Sequence, residues 1–221
     1  MNFFAHAVIA SRIRPEPRFV LGSMLPDLAG MAGIDASAGD VCSLVDVALA
    51  EGVRFHGFCD DVFHSSRAFG EIMLWSRADL KAHGLPRGPT LAASHVGAEL
   101  LLDGWLAEDC AGLEAYHEAL ALLDAEPSSF LDPWLGSNEW RRLAERLRDG
   151  TLPKGYRAVE FVAELLERIL ARRPRLRLDR HGAREVRRHL PALRQRVGTA
   201  VPELVDEVLD ASRKHLCSNV F

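Results

Sequence analysis

Apolar residues recur every three to four positions along most of the chain, and strict alternation is scarce. That period predicts helices rather than strands. The first helix covers residues 3–13 and is nearly all apolar, with His6 inside it. Arg14-Pro15-Glu16-Pro17 marks a turn. A second helix over residues 19–31 is expected to break or restart at Leu25-Pro26-Asp27, because Pro26 has no backbone donor. Residues 30–39 read as a small-residue loop, and residues 41–50 as a helix leading into the stretch around His56. Residues 63–81 continue it. Gly57 weakens that helix by about 1 kcal/mol relative to Ala, which suggests a close approach by a neighbour. Further helices are expected over residues 90–107, 108–123, 138–148, 159–170, 184–197 and 202–216. Loops over 83–89, 127–133 and 149–153 separate them where Gly and Pro cluster. No repeat, low-complexity linker or domain boundary interrupts the pattern. The expectation is one all-α domain over residues 1–221, a helical bundle with a ligand-bearing core at 1–108 and C-terminal helices at 109–221.

Two polar triplets interrupt the apolar faces. His56, Asp60 and His64 stand four residues apart in succession, as do His95, Glu99 and Asp103. On a helix each triplet drifts only about 80° around the axis and spans roughly 12 Å, so it projects from one face. Two such helices packed together would bring six possible metal ligands into one cleft. The second triplet lies in a run of Leu, Val and Ala that should be buried, where an ionisable group is costly unless paired or metal-bound. The alternative is a hydrogen-bonded His–carboxylate network without metal. Asp27, directly after Pro26, reads either as a helix-end acid or as a carboxylate aimed into the cleft. His6 alone reads as a core histidine with a hydrogen-bond partner, and His117 as a surface or rim residue.

Composition narrows the chemistry. With a net charge of −4 the chain lacks the basic balance of a nucleic-acid binder. The four cysteines form no CxxC pair, so neither a disulfide framework nor a cysteine zinc knuckle is indicated. Cys59 reads as a packed thiol pointing away from the His56 face. No apolar run reaches the ~18 residues of a membrane span, and no signal peptide opens the chain, so a cytoplasmic location is expected. Imidazole and carboxylate ligands suit a divalent metal, Mn more than Zn or Fe given the share of carboxylates. Such a site favours phosphoester hydrolysis. No nucleotide loop or nucleophile elbow accompanies it.

Met1-Asn2-Phe3-Phe4-Ala5-His6, the Gly22-to-Asp27 element, Gly52-Val53-Arg54-Phe55-His56 with Asp60, and Glu99 through Asp103-Gly104-Trp105-Leu106-Ala107 resemble the acyl carrier protein phosphodiesterases. The resemblance extends loosely to the C-terminal helices and is sharp over residues 1–108. It implies an all-helical fold related to the HD-type metallohydrolases, a divalent metal that is typically Mn, and release of phosphopantetheine from a serine of acyl carrier protein. It assigns metal or catalytic roles to His6, Asp27, His56, Asp60 and Asp103, with Glu99 where the family usually has Asp. His64 and His95 are additions. Gly57 stands where the family usually has a basic residue, Gly104 where it has His, and Val197 to Val201 where aromatics are expected. Under this reading His95 and Glu99 form a second site or supply a general base, and Arg54 reaches a phosphate. An acidic carrier protein would need a local basic patch, and residues 172–177 provide one.

A second resemblance runs to the zinc-dependent phospholipase C and P1-type nuclease group, also all-α, through His56, Asp60, His64, His95, Glu99 and the early Pro26-Asp27. One histidine between Asp27 and His56, an N-terminal tryptophan ligand and a secretion signal are lacking. The remaining alternative is a non-catalytic helical protein with a polar hydrogen-bonded cleft.

Overall fold

The apolar opening segment becomes α1 (Phe3–Ile13), buried from Phe3 to Ala10. A helix that is hydrophobic all round belongs inside a bundle. The computed structural model describes residues 1–33, 46–125 and 138–218. α2 (Pro17–Ala32) follows and ends at Gly33, whose φ of 72° closes the helix in the left-handed region. α3 (Val47–Ser65) is capped by Asp46, whose side chain accepts from the Leu49 amide at 2.9 Å. α4 (Arg67–Ala82) and α5 (Arg87–Leu106) come next, then α6 (Cys110–Ala125) and α7 (Asn138–Arg148). A 3-10 turn at Lys154–Arg157 leads into α8 (Val159–Ala171). A second turn at Pro174–Leu176 leads into α9 (Arg180–Ser218). No strand occurs among the described residues, and the elements share one hydrophobic core. None of their helices is long and apolar enough to cross a membrane.

Several junctions differ from the pattern. α2 runs unbroken through Pro26. The missing hydrogen bond costs about 3 kcal/mol, but Leu21, Met24, Leu25 and Leu28 are buried on the same helix. Each such side chain stabilises by about 1.5–3 kcal/mol. The last two helices are one: α9 continues through Pro191 and Pro202. Its apolar face, including Val186, Leu190, Leu193, Val197 and Leu204, stays buried across both prolines. Trp105 lies against Gly198, in the space a Cβ would fill, so the glycine there serves packing rather than a break. The helix expected over 63–81 instead turns at Ser66, which separates α3 from α4. The loop and the helix start expected within 34–45, and the loop over 127–133, lie outside the described residues.

Two glycines set the geometry of α2 on α3. A Cβ at Gly22 would stand 3.0 Å from the Gly52 Cα and overlap the Leu49 carbonyl oxygen. A Cβ at Gly52 would overlap the Phe19 carbonyl oxygen. The close approach expected at Gly57 is therefore found at Gly52. Gly57 is exposed, and nothing lies within 4 Å of where its Cβ would be.

Candidate metal centre

The six residues of the two triplets do not form one tight cluster. α3 divides its own triplet between two groups. His56 faces His6 of α1 and Asp27 of α2, and one ligand atom from each lies within 4.8 Å of the others. His64 faces His95 and Glu99 of α5, and these three meet the same limit. Asp60 stands beside the first group: His6 Nε2 is 3.2 Å from its Oδ1, and His56 Nε2 is 3.7 Å from its Oδ2. The Met1 ammonium joins the groups, 2.5 Å from Asp60 Oδ1 and 3.3 Å from Glu99 Oε1.

The first group is the more enclosed. The His6 and His56 rings stack with centroids 3.9 Å apart. His56 Nδ1 lies 2.9 Å from the Ser23 carbonyl oxygen, which can only accept, so Nδ1 carries the proton and Nε2 presents its lone pair to the cluster. The continuous α2 places Ser23 and Asp27 one turn apart for this purpose. Asp27 Oδ2 and His6 Nδ1 are buried without a hydrogen-bond partner. Burial, together with the nearby Asp60 and Glu99 carboxylates, pushes the Asp27 carboxyl well above the usual range. Burial and the adjacent His56 hold His6 down to about 3, and burial likewise lowers His56. Burial would raise Asp60, but the His6 hydrogen bond and the Met1 ammonium keep it below the ordinary carboxylate range.

These residues fit a divalent cation. An orphaned buried carboxylate oxygen, an imidazole nitrogen freed by its tautomer and a second neutral imidazole form a mixed N/O donor set. Metal–ligand bonds of ~2.0–2.2 Å in tetrahedral array put ligand atoms about 3.4 Å apart, so a limit of 4.8 Å requires modest closure.

The second group is more open. Glu99 Oε1 takes His64 Nε2 at 3.2 Å and His95 Nε2 at 3.1 Å, and the two rings stack at 5.0 Å. Burial would raise Glu99, but the two imidazole hydrogen bonds hold it below its ordinary range. The His95 side chain is 37% exposed, so it alone of its triplet is less buried than the apolar surroundings suggest.

Two predicted site residues lie elsewhere. Asp103 joins neither group. It is fully buried and accepts from Asn2 Nδ2 (2.7 Å), Phe4 N–H (3.3 Å) and Ala5 N–H (2.8 Å). It caps α1, whose own N-cap residue Asn2 makes no capping bond. Burial pushes it up to about 8 despite these donors. Arg54 is exposed on α3 and meets no hydrogen-bond or ion-pair partner among the described residues. Gly104 packs where a Cβ would overlap the Tyr156 carbonyl oxygen, so a histidine cannot occupy that position in this packing. Cys59 is fully buried, with its thiol pushed up to about 12 by burial, as a packed thiol should be. His117 is exposed.

The sequence pattern missed one polar cluster. His189 Nδ1 lies 2.7 Å from Asp79 Oδ2, and His189 Nε2 lies 2.8 Å from Ser76 Oγ, which in turn is 2.9 Å from Ser94 Oγ. The order is that of a serine–histidine–aspartate relay. Ser76 and Ser94 are fully buried between α4, α5 and α9, so no substrate reaches the hydroxyl. It is a structural network. Asp79 and His189 are more than a hundred positions apart in sequence, so no local spacing announces it.

No family model, curated protein or solved structure matches this chain.

Proposed function

We propose that the chain is a divalent-metal-dependent phosphodiesterase of the acyl carrier protein phosphodiesterase type, HD-like in kind. His6, Asp27 and His56 would hold the ion, with Asp60 beside them. The observation that carries this reading is the orphaned, buried Asp27 Oδ2 facing two neutral imidazoles. A hydrogen-bonded core would leave that oxygen at a cost of about 1–3 kcal/mol; a cation satisfies it. A bound divalent ion supplies Lewis acidity towards a phosphoryl oxygen and a nearby water.

The chain's own groups divide the remaining work. Ser23 fixes the His56 tautomer. Asp60 orients the His6 imidazole. In the second group Glu99 is held ionised by the two imidazole hydrogen bonds, and with His95 it would form a second site or act on a nearby proton. Arg54, exposed on α3, would meet a phosphate. The exposed arginines at 172, 173, 175 and 177 give an acidic carrier protein a surface to dock on. Mn is favoured over Zn or Fe by the carboxylate share of the ligands.

The His64–Glu99–His95 group favours a second reading, a phospholipase C-like enzyme with more than one ion. Elemental analysis of tag-free protein tests both. One Mn per chain, lost in the His56→Ala/Asp27→Ala variant together with at least roughly a hundredfold of the activity on a small phosphodiester, supports the proposal. Two or more Zn per chain supports the second reading. Metal-free protein that takes up no Mn or Zn leaves only a non-catalytic bundle.

A further inference from the structure

A cavity of about 540 Å³ opens beside the second group. That volume falls within the ~300–1,000 Å³ of small-molecule pockets. Its walls come from the end of α2, from α5, α7 and α8, and from the turn that carries Tyr156. Leu100, Leu143, Leu165 and Ile169 make the interior apolar. Arg142, Arg146 and Arg172 border it, and none has an ion-pair partner among the described residues. Arg142 and Arg146 are four apart on α7 and therefore share a face. Glu139 is the acid beside them, while Glu99, the other bordering acid, is already taken by two imidazoles. The three guanidiniums thus exceed the free carboxylate by two positive charges. Tyr156 packs behind the cavity wall, fully buried.

We infer that this cavity binds a single-chain phosphate monoester, with the hydrocarbon chain among the leucines and the phosphate held at the rim by Arg142, Arg146 and Arg172. A phosphate monoester carries about −1.5 to −2 charges near neutral pH and offers three acceptor oxygens. Guanidinium pairs bind it in bidentate fashion. A carboxylate would neutralise only one of the two excess charges. An uncharged alcohol would leave the guanidiniums unused. None of this depends on a metal ion.

Calorimetric titration of the full chain with dodecyl phosphate, below its micelle concentration and in the presence of a chelator, tests the inference. The expected result is one saturable site with a negative heat-capacity change. Butyl phosphate should bind roughly a hundredfold more weakly or worse, for want of buried methylenes. Arg142→Gln/Arg146→Gln should weaken dodecyl phosphate by about tenfold or more. Equal affinity for dodecanoate would overturn the phosphate assignment. Unchanged affinity in the arginine double variant, or no saturable binding, would overturn the cavity as the site. Because the chelator is present, failure here is distinct from failure of the metal reading, which elemental analysis decides.

Discussion

Asp103 holds three donors on two oxygens, and two of them are the first free amides of α1. Removing the carboxylate leaves Phe4 and Ala5 N–H buried without partners. Asp103→Ala should therefore destabilise the protein by about 2–4 kcal/mol, with Asp103→Asn between it and the wild type; urea unfolding measures both. A loss below about 0.5 kcal/mol for Asp103→Ala would contradict the capping role. Spacing could not have separated this residue from Glu99, four positions earlier on the same helix. Both satisfy the helical period, and only the arrival of α1 over Asp103 decides its use. His56 and His64 were legible because, with Asp60, they recur every four residues on one helix face. Their division between two groups was not, since it depends on which helices cover each end of α3. His189 gave no signal at all, yet it has a measurable consequence. Burial holds its pKa below the ordinary value, although Asp79 pulls the other way. Arg188 and His83, the other charged or titratable neighbours, also lower it. The unfolded chain then binds a proton that the native state refuses. Stability from neutral His189 is full above about pH 6.5 and declines as pH falls below it towards the lower native pKa. His189→Gln should flatten the fall in unfolding free energy between about pH 7.5 and 5.5 relative to wild type. His6 and His56 shift in the same direction and remain in the variant, so the difference between the two proteins isolates His189. Parallel pH profiles would remove the network from this account.

Helices as elements were largely legible, and their ends were not. The apolar period marks buried faces, and buried faces exist wherever the bundle needs them. Proline and glycine were misleading where packing outweighed them: Pro26, Pro191 and Pro202 all lie within helices. Gly57 and Gly52 make the point quantitatively, since they lie on the same helix and differ only in what faces them. Gly57→Ala should stabilise by about 0.5–1 kcal/mol, the usual gain for alanine in an open helix. Gly52→Ala should destabilise by about 1–3 kcal/mol or more, because its Cβ meets the backbone of α2. Thermal melts of the two variants should move in opposite directions; movement in the same direction would refute the α2–α3 crossing described above.

For the molecule as a whole, the all-helical architecture followed from period alone, while the spaces between helices did not. The cavity takes its walls from four helices and one turn, spread from Asn2 to Arg172, and no window of sequence contains it. The same holds for the first group of ligands, which draws on α1, α2 and α3. Net charge was informative only in sign. A chain of −4 still carries arginines at one rim with no ion-pair partner among the described residues, and such a local excess would outweigh the total charge for a ligand there. The Gly22–Gly52 crossing also acts as a ruler. Asp27 lies five residues beyond Gly22 and His56 four beyond Gly52, so the gap between a carboxylate and an imidazole is set by backbone touching backbone. A single methyl group inserted there would lengthen the ruler without altering any ligand. The spacing of two candidate ligands is thus written into two residues that touch neither of them.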